Sequence, residues 1–353
     1  RDNQIEAPIL VLGSVSATDW TMLAERQVAI TIADREQLVD LETYRRSTLS
    51  IHLKVETGLG RLGLYPHELS PIVELIRRNP NLKLEGISSH FASVEEQDMG
   101  YTRSQLAEFD RAVSLIDTYP TVVIPEPVEN RYPESRKTWI PDQVRDDKQT
   151  ENPPNILRHI AATAAFMQLP ESHYDMVRSG IGIYGLWPSS DVYKAMQLSR
   201  PEITLKPALS WKARLVHLKT IPAGMSIGYG RTHSVDHDTK VGVIPVGYAD
   251  GYDRGLSNKA QVLIRGQRCP ILGRIAMNMC MVDCSTVSDA KVGDVVTLIG
   301  RDPSTSLGTS GTEEISADDV ATWADTINYE IVTRLPIQLE RRYLNLDPSL
   351  PIS

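Results

Sequence analysis

Cysteine is scarce in this chain: Cys269, Cys280 and Cys284 are the only three among 353 residues. So few thiols cannot build a disulfide framework, and their spacing fits no four-ligand zinc site, so no metal is expected. Basic charge is not in excess either. The formal net charge of −8 and a pI near 5.6 argue against a nucleic-acid partner, which needs a basic patch. No apolar run approaches the roughly 20 residues of a membrane span, so no membrane partner is expected. The first residues lack the basic and apolar regions of a secretory signal. A cytoplasmic location is the simplest expectation. Methionine is missing from position 1, where Arg1 stands, so the chain is read as starting downstream of a translation start.

What is present suffices for packed cores. Hydrophobic residues make up 41% and charged residues 23%, the balance of a globular protein, and the length suggests two domains. The first half alternates β-rich runs with helical periods. The runs are 8–13, 28–33, 51–56 and 84–91, with two more near 155 and from 175. Helical stretches lie at 36–46, 67–78 and 104–117, the last placing Leu106, Phe109, Val113 and Ile116 on one face. Strand and helix in regular alternation predict a parallel sheet with crossover helices. A (β/α)8 barrel repeats this unit eight times. About six units are legible over 1–200, so the expectation is an incomplete (β/α)8 TIM barrel lacking two units at its front. From about 205 the runs are β-rich with little helix between them, which predicts a mostly antiparallel β domain over 203–345. One closing helix is expected there, with Ser316 and Asp319 as a capping box and Val320, Trp323, Ile327 and Ile331 at helical spacing. Residues 119–154 and 302–314 are polar and aperiodic, and read as loop inserts.

"GLGRLG" at 58–63 spells the pyrophosphate-binding pattern G-x-G-x-x-G. The helical period, however, starts only after Pro66, and proline suits a first helical turn. A helix beginning there cannot point its N-terminus at a phosphate held by Gly58 and Gly60. What stays notable is Arg61, a cation on a glycine-flanked loop just past a strand. With His90, Thr163 and Arg178 it falls at expected strand ends, where barrels build their sites. Read one at a time, these could be a surface cation, a core histidine, a helix cap and an ion-paired arginine. His90 and His159 are the histidines that look like site residues. "RSGIG" (178–182) and Thr163 have the makings of an anion cup, a hydroxyl beside backbone N–H groups freed by glycine. In the β domain, "IGYGRT" holds Tyr229 between two glycines, where a phenol can be exposed at a turn.

"HLKVETGLGRLG", "SSHFASVEEQD", "HIAATAA", "DMVRSGIGIYGL", "GYGRT", "IPVGYADGYDR" and "GRIAMNMCMVD" come in the order and at about the spacing of bacterial alanine racemase. The resemblance spans essentially all of 1–345 outside the inserts. It implies a pyridoxal 5'-phosphate-dependent racemase acting on alanine and supplying D-alanine for peptidoglycan. It also implies a homodimer in which the β domain of one subunit completes the barrel site of the other. Tyr229 matches one of two catalytic bases, and His90 with Arg178 matches the relay that tunes it. Arg178 also matches the residue that meets the pyridine nitrogen and keeps it unprotonated. Arg61 matches the arginine that positions cofactor and substrate carboxylate, and the backbone of Met277 matches a substrate contact. Lys54 matches a lysine that is carbamylated in some members and braces that arginine. Thr163, Gly180 and Ile181 match phosphate contacts.

Departures accompany the resemblance. Ala162 stands where many members have Asn, Asn278 where many have Asp, and Pro336 about where some place a phosphate-binding tyrosine. The second base, a lysine in a Lys-Ala-Asn-like motif of the first barrel strand that also binds the cofactor covalently, has no counterpart here. Lys54 is read as lying early on its strand, so no lysine is expected at a strand end facing the site. On that reading the chain as it stands is expected to be an inactive fragment. The other readings are a same-fold racemase or decarboxylase of a larger amino acid, or a non-catalytic remnant.

Overall fold

The computed structural model describes residues 4–117, 156–302 and 313–344. The expected insert at 119–154 lies outside them, as does that at 302–314 apart from its ends. The described residues fall into two units. The first runs to Gly182 and resumes over Trp187–Thr204; the second takes Ile183–Leu186 and then the chain from Leu205.

In the first unit, five strands pair in chain order into one parallel sheet: β1 (Ile9–Val11), β2 (Val28–Ile32), β3 (Leu49–Lys54), β4 (Leu82–Ser88) and β5 (Leu157–His159). Helices α1 (Trp20–Glu25), α2 (Gln37–Thr43), α3 (Pro66–Arg78) and α4 (Gly100–Asp117) follow the first four strands, and α5 (Thr163–Gln168) and α6 (Ser190–Ser199) come after β5. Side chains of a strand alternate between faces. Leu49, Ile51 and Leu53 of β3 therefore share one face, and they join a core with Leu69, Ile72, Val73 and Ile76 of α3 and Phe109, Val113 and Ile116 of α4. The other face of β3 carries His52 and Lys54. An apolar outer face under helices and a polar inner face is the wall of an incomplete β/α barrel.

Helix α3 starts at Pro66, as the sequence predicts, and Glu68 reaches back to the Tyr65 N–H at 2.9 Å. The sixth run does not extend as a strand. Arg178 makes a single parallel bridge with Ala162, and the chain then coils into a 3-10 turn over Ile181–Tyr184. The cause is local. The N–H groups of Gly180 and Gly182 donate to Thr163 Oγ1 at 3.0 and 3.4 Å instead of to a neighbouring strand.

The second unit is antiparallel throughout its ladders. Its strands are β6 (Trp211–Arg214), β7 (His217–Ile221), β8 (Ser226–Ile227), β9 (His233–Ser234), β10 (Thr239–Ile244), β11 (Gln261–Ile264), β12 (Gln267–Pro270), β13 (Cys280–Asp283), β14 (Val295–Arg301) and β15 (Glu314–Ile315). They form the sheets β13-β10-β7 and β12-β11-β14-β15, with β6 on β14 and β8 paired to β9. The expected closing helix is two, α7 (Ala317–Ala324) and α8 (Asn328–Thr333). The Ser316–Asp319 box caps the first, but Asp325 adopts a left-handed conformation at φ 58 and ends it. Asn328 Nδ2 then donates to Asp318 Oδ1 at 2.8 Å, folding α8 back on the start of α7. Ile327, expected on the buried face, is exposed at the break. Among the described residues, no helix is long and apolar enough to cross a membrane.

Candidate functional site

The polar face of the parallel sheet gathers its groups around one guanidinium. Arg178 Nη1 donates to His159 Nδ1 at 2.5 Å and to the His159 carbonyl at 2.9 Å. Its Nη2 donates to the carbonyls of Ser89 and Ile160 at 2.7 and 3.1 Å and approaches His90 Nδ1 at 3.4 Å. Burial lowers the guanidinium to about 10, which leaves it charged at neutral pH. Both ring contacts have one polarity, because arginine only donates. The Nδ1 atoms of His159 and His90 must accept, so both rings are neutral and carry their proton on Nε2. Their basicity agrees. Burial lowers His90 to about 4, helped by Lys54, Arg178 and Arg61, and burial with the Arg178 charge also lowers His159 strongly.

Lys54 is the last residue of β3. The expectation that it lies early on its strand is thus wrong, because β3 ends where Glu56 and Leu64 turn the chain. Lys54 Nζ has no hydrogen-bond or ion-pair partner among the described residues. Burial, then the charges of Arg178 and Arg61, lower its ammonium to about 7, with Glu56 opposing. A lysine at a strand end beside the site, half neutral near pH 7, is present after all.

The glycine loop answers to its own chain. Glu56 Oε1 accepts from the Gly58 N–H at 2.5 Å, and Oε2 from Gly60 and Arg61 at 2.9 and 3.3 Å. Burial would raise the Glu56 carboxyl, but the backbone donors of Gly60, Gly58, Leu59 and Arg61 outweigh it and hold it below its usual range. The amides that a pyrophosphate would need are already taken by a carboxylate. A side chain at Gly63 would press within 2.5 Å of the Glu56 backbone nitrogen, so this glycine serves the turn. Arg61 is left exposed on the loop, near enough to Lys54 and His90 to depress both.

Thr163, 3% exposed, opens α5 and accepts the Gly180 and Gly182 N–H groups. Its hydroxyl proton is then available to donate. Nothing stands within 4 Å of where a Gly180 side chain would begin. A hydroxyl donor beside a glycine turn with open space above it fits a phosphate group.

In the second unit, Tyr229 heads a short turn between Gly228 and Gly230, both at positive φ (75° and 71°). Side chains there would strike the Met281 side chain and the Arg274 guanidinium, at 3.1 and 2.7 Å. Asn258 clamps the neighbourhood, accepting from the Gly273 N–H at 2.6 Å and donating to Thr232 Oγ1 at 3.2 Å. The result is a rigid turn that leaves Tyr229 72% exposed. Met277 sits on another turn, its carbonyl taken by the Ala249 N–H at 2.9 Å and its own N–H without a partner among the described residues.

The structure brings together Lys54, His90, His159, Arg178, Thr163 and Gly180 on one unit, while Tyr229 and Met277 belong to the other. Sequence reasoning missed His52, Ser89 and Glu56. His52 was findable, since it lies two residues before Lys54 on a strand and so shares its face.

The family model for the alanine racemase N-terminal domain matches residues 1–124 and 134–188, and that for the C-terminal domain matches 208–343. Alanine racemase of Halothermothrix orenii is 35% identical over 348 residues, covering 98% of this chain and 79% of the relative. That of Symbiobacterium thermophilum is 37% identical over 346 residues, covering 97% and 79%. Among solved structures, the alanine racemase of E. faecalis superposes with a TM-score of 0.76 at 29% identity, covering 95% of this chain and 78% of that one. The Bacillus anthracis enzyme with bound L-Ala-P gives 0.75 at 30%, covering 95% and 75%. Nothing in these likenesses supports the expectation of an inactive chain. Two matched domains in order, and relatives aligned along nearly the whole chain, show that it belongs to the alanine racemase family.

Proposed function

We propose that this protein interconverts L- and D-alanine with pyridoxal 5'-phosphate, and that its working form is a homodimer in the cytoplasm. The observation that carries this reading is the half-buried cation Arg178 with two neutral histidines turned toward it. Thr163, Gly180 and Ile181 would hold the phosphate, and Arg178 would face the pyridine nitrogen. When bound, pyridoxal phosphate draws electron density from the substrate's α-carbon and acidifies its proton. An arginine keeps its proton throughout, so it offers the ring nitrogen a hydrogen bond without protonating it.

His90 accepts from Arg178 on Nδ1 and therefore presents Nε2–H, a donor fit to orient a phenolic oxygen. That oxygen is Tyr229 Oη, which would serve one face alone: it takes the α-proton from the enantiomer that presents it there, and in the reverse direction delivers a proton to that face. A catalytic phenol works best where water is excluded, yet Tyr229 is largely bare; a second subunit's site is the cover that the resemblance implies. Arg61 and the Met277 N–H take the substrate carboxylate, and Lys54 would brace Arg61 in the carbamylated form that some family members carry, since its ammonium repels that guanidinium. The resemblance places a lysine on the opposite face, and no residue of this chain is assigned that role.

The test is to supply the purified chain with pyridoxal phosphate and L-alanine and to follow D-alanine by chiral chromatography. Approach to equal amounts of the two enantiomers from either side supports the reading. Absence of interconversion overturns it.

A further inference from the structure

His52 has no place in the reaction described above, yet its ring is buried in the middle of the sheet. On β3 it stands in register with Gly86 of β4, which in turn pairs with Leu157 of β5. One rung higher, Lys54, Ser88 and His159 are in register. His52 and His159 are therefore two strands and one rung apart. Neighbouring strands are about 4.8 Å apart, so an imidazole can span β4 only by lying across it. It does so at Gly86. A side chain at that glycine would begin 2.3 Å from His52 Nδ1, so the ring fills the space that any other residue at 86 would take. The register slips by one residue between Ile51 and His52, with Glu85 as the extra residue of β4. Without that slip Glu85 would oppose His52, and the gap would point to the other face.

His52 Nδ1 ends 2.9 Å from His159 Nε2. Arg178 makes His159 Nδ1 an acceptor, so the proton between the two rings belongs to His159 Nε2 and His52 accepts it. Both rings are buried, at 4% and 0% exposure, and burial lowers His52 to about 4, so no charge disturbs this order. Resting on the racemase reading for the use made of Arg178, we propose that His52, seated over Gly86, is a positioning residue. It accepts the Nε2–H that Arg178 imposes on His159, and so holds in place the ring whose Nδ1 aims Arg178. The chain runs in one direction, from Arg178 to His159 to His52. Removing its last acceptor leaves a buried N–H without a partner, a cost that the His159 ring relieves by tilting toward another acceptor and so out of line with the guanidinium.

The test reads the tautomer directly. Nitrogen-15 spectra of the eight histidines, assigned by single substitution and taken without cofactor, are compared for the wild type and for His52→Leu, His52→Gln and Gly86→Ala. Circular dichroism melts establish that each variant is folded. His159 is expected as Nε2–H in the wild type and in His52→Gln, whose amide oxygen still accepts. His52→Leu and Gly86→Ala should keep that tautomer, which Arg178 sets, but move the Nε2 signal to that of an N–H without an acceptor. Affinity for pyridoxal phosphate, followed by absorbance, should fall about tenfold in His52→Leu and recover in His52→Gln, the scale of one hydrogen bond to a charged group. An Nδ1–H form of His159 in the wild type, or nitrogen signals unmoved in a folded His52→Leu, would overturn the proposal. A wild type that binds no pyridoxal phosphate would count against the racemase reading and leave the tautomer result standing.

Discussion

Two single side chains carry the most direct consequences. Tyr229→Phe removes one oxygen from a residue that is mostly exposed within its own chain, so it disturbs neither core nor phosphate cup. As a general base the phenol is worth about 10²–10⁴-fold. Racemisation should fall by that factor in both directions while the affinity for pyridoxal phosphate holds; an unchanged rate would remove Tyr229 from the chemistry. Lys54 makes a prediction about pH. Its ammonium drops from an ordinary 10.5 to about 7 on folding. Below pH 7 the lysine is charged in both states and the folded protein bears the full cost of holding it. Between pH 7 and 10.5 the unfolded chain binds more protons, so stability rises with pH, and above 10.5 the cost is gone. Lys54→Met should therefore stabilise most at and below pH 7, and the gain should shrink toward pH 10. Urea unfolding at pH 6, 8 and 10 measures this, and a gain independent of pH would show that Lys54 bears no such cost.

At the scale of elements, the instructive case is the loop between β3 and α3. Its glycines match a nucleotide-binding signature, and the boundary of α3 at Pro66 was enough to reject that reading from sequence. The sequence pattern did not show what the loop does instead, because Glu56 acts through its side chain on amides two to five residues ahead. Glu56→Ala strips the acceptor from Gly58, Gly60 and Arg61 at once. Hydrogen exchange at those amides should accelerate by at least tenfold, and stability should fall by about 2 kcal/mol, the scale of a charge-assisted hydrogen bond. The loss should be absent at low pH, since a carboxyl held below its usual value contributes stability above that value and loses it as pH falls through the lowered one. Unchanged protection would mean that the loop is held by its glycine turns alone. The break between α7 and α8 carries the same lesson. Helical spacing continues across Asp325, but one residue at positive φ is enough to end the ladder.

For the whole molecule, assembly is the open physical quantity. Tyr229, Met277, Met225 and Tyr248 are all large side chains left exposed on the second unit, and a dimer that covers them is the proposed working form. Sedimentation should give a species of about twice 39.3 kDa at micromolar concentration. A monomer would leave Tyr229 in water and contradict its role. Residues 119–154 lie outside the described residues, and the N-terminal family model omits 125–133 within them. Their polar, proline-rich composition predicts that they are dispensable, since loop-closure cost grows only slowly with length. Replacing them with a short Gly-Ser linker should leave Tm within a few degrees, and a collapse in Tm would show that they pack on the fold.

Periodicity alone determined the parallel order of β1 to β5, the face of α4 and the antiparallel character of the second unit, because alternation and helical spacing are properties of adjacent residues. Motif order alone determined the family. Position along a strand was decided elsewhere: whether Lys54 stands early on β3 or at its end depends on where Leu64 returns to pair. Tertiary structure decided, too, that Arg178 dictates the tautomers of His90 and His159, since their acceptor roles follow from a donor 19 and 88 residues away. Nothing local marks Gly86 as the seat of His52. A glycine opposite a histidine acquires meaning only when the register of three strands, slipped by one residue, lays the ring across the gap.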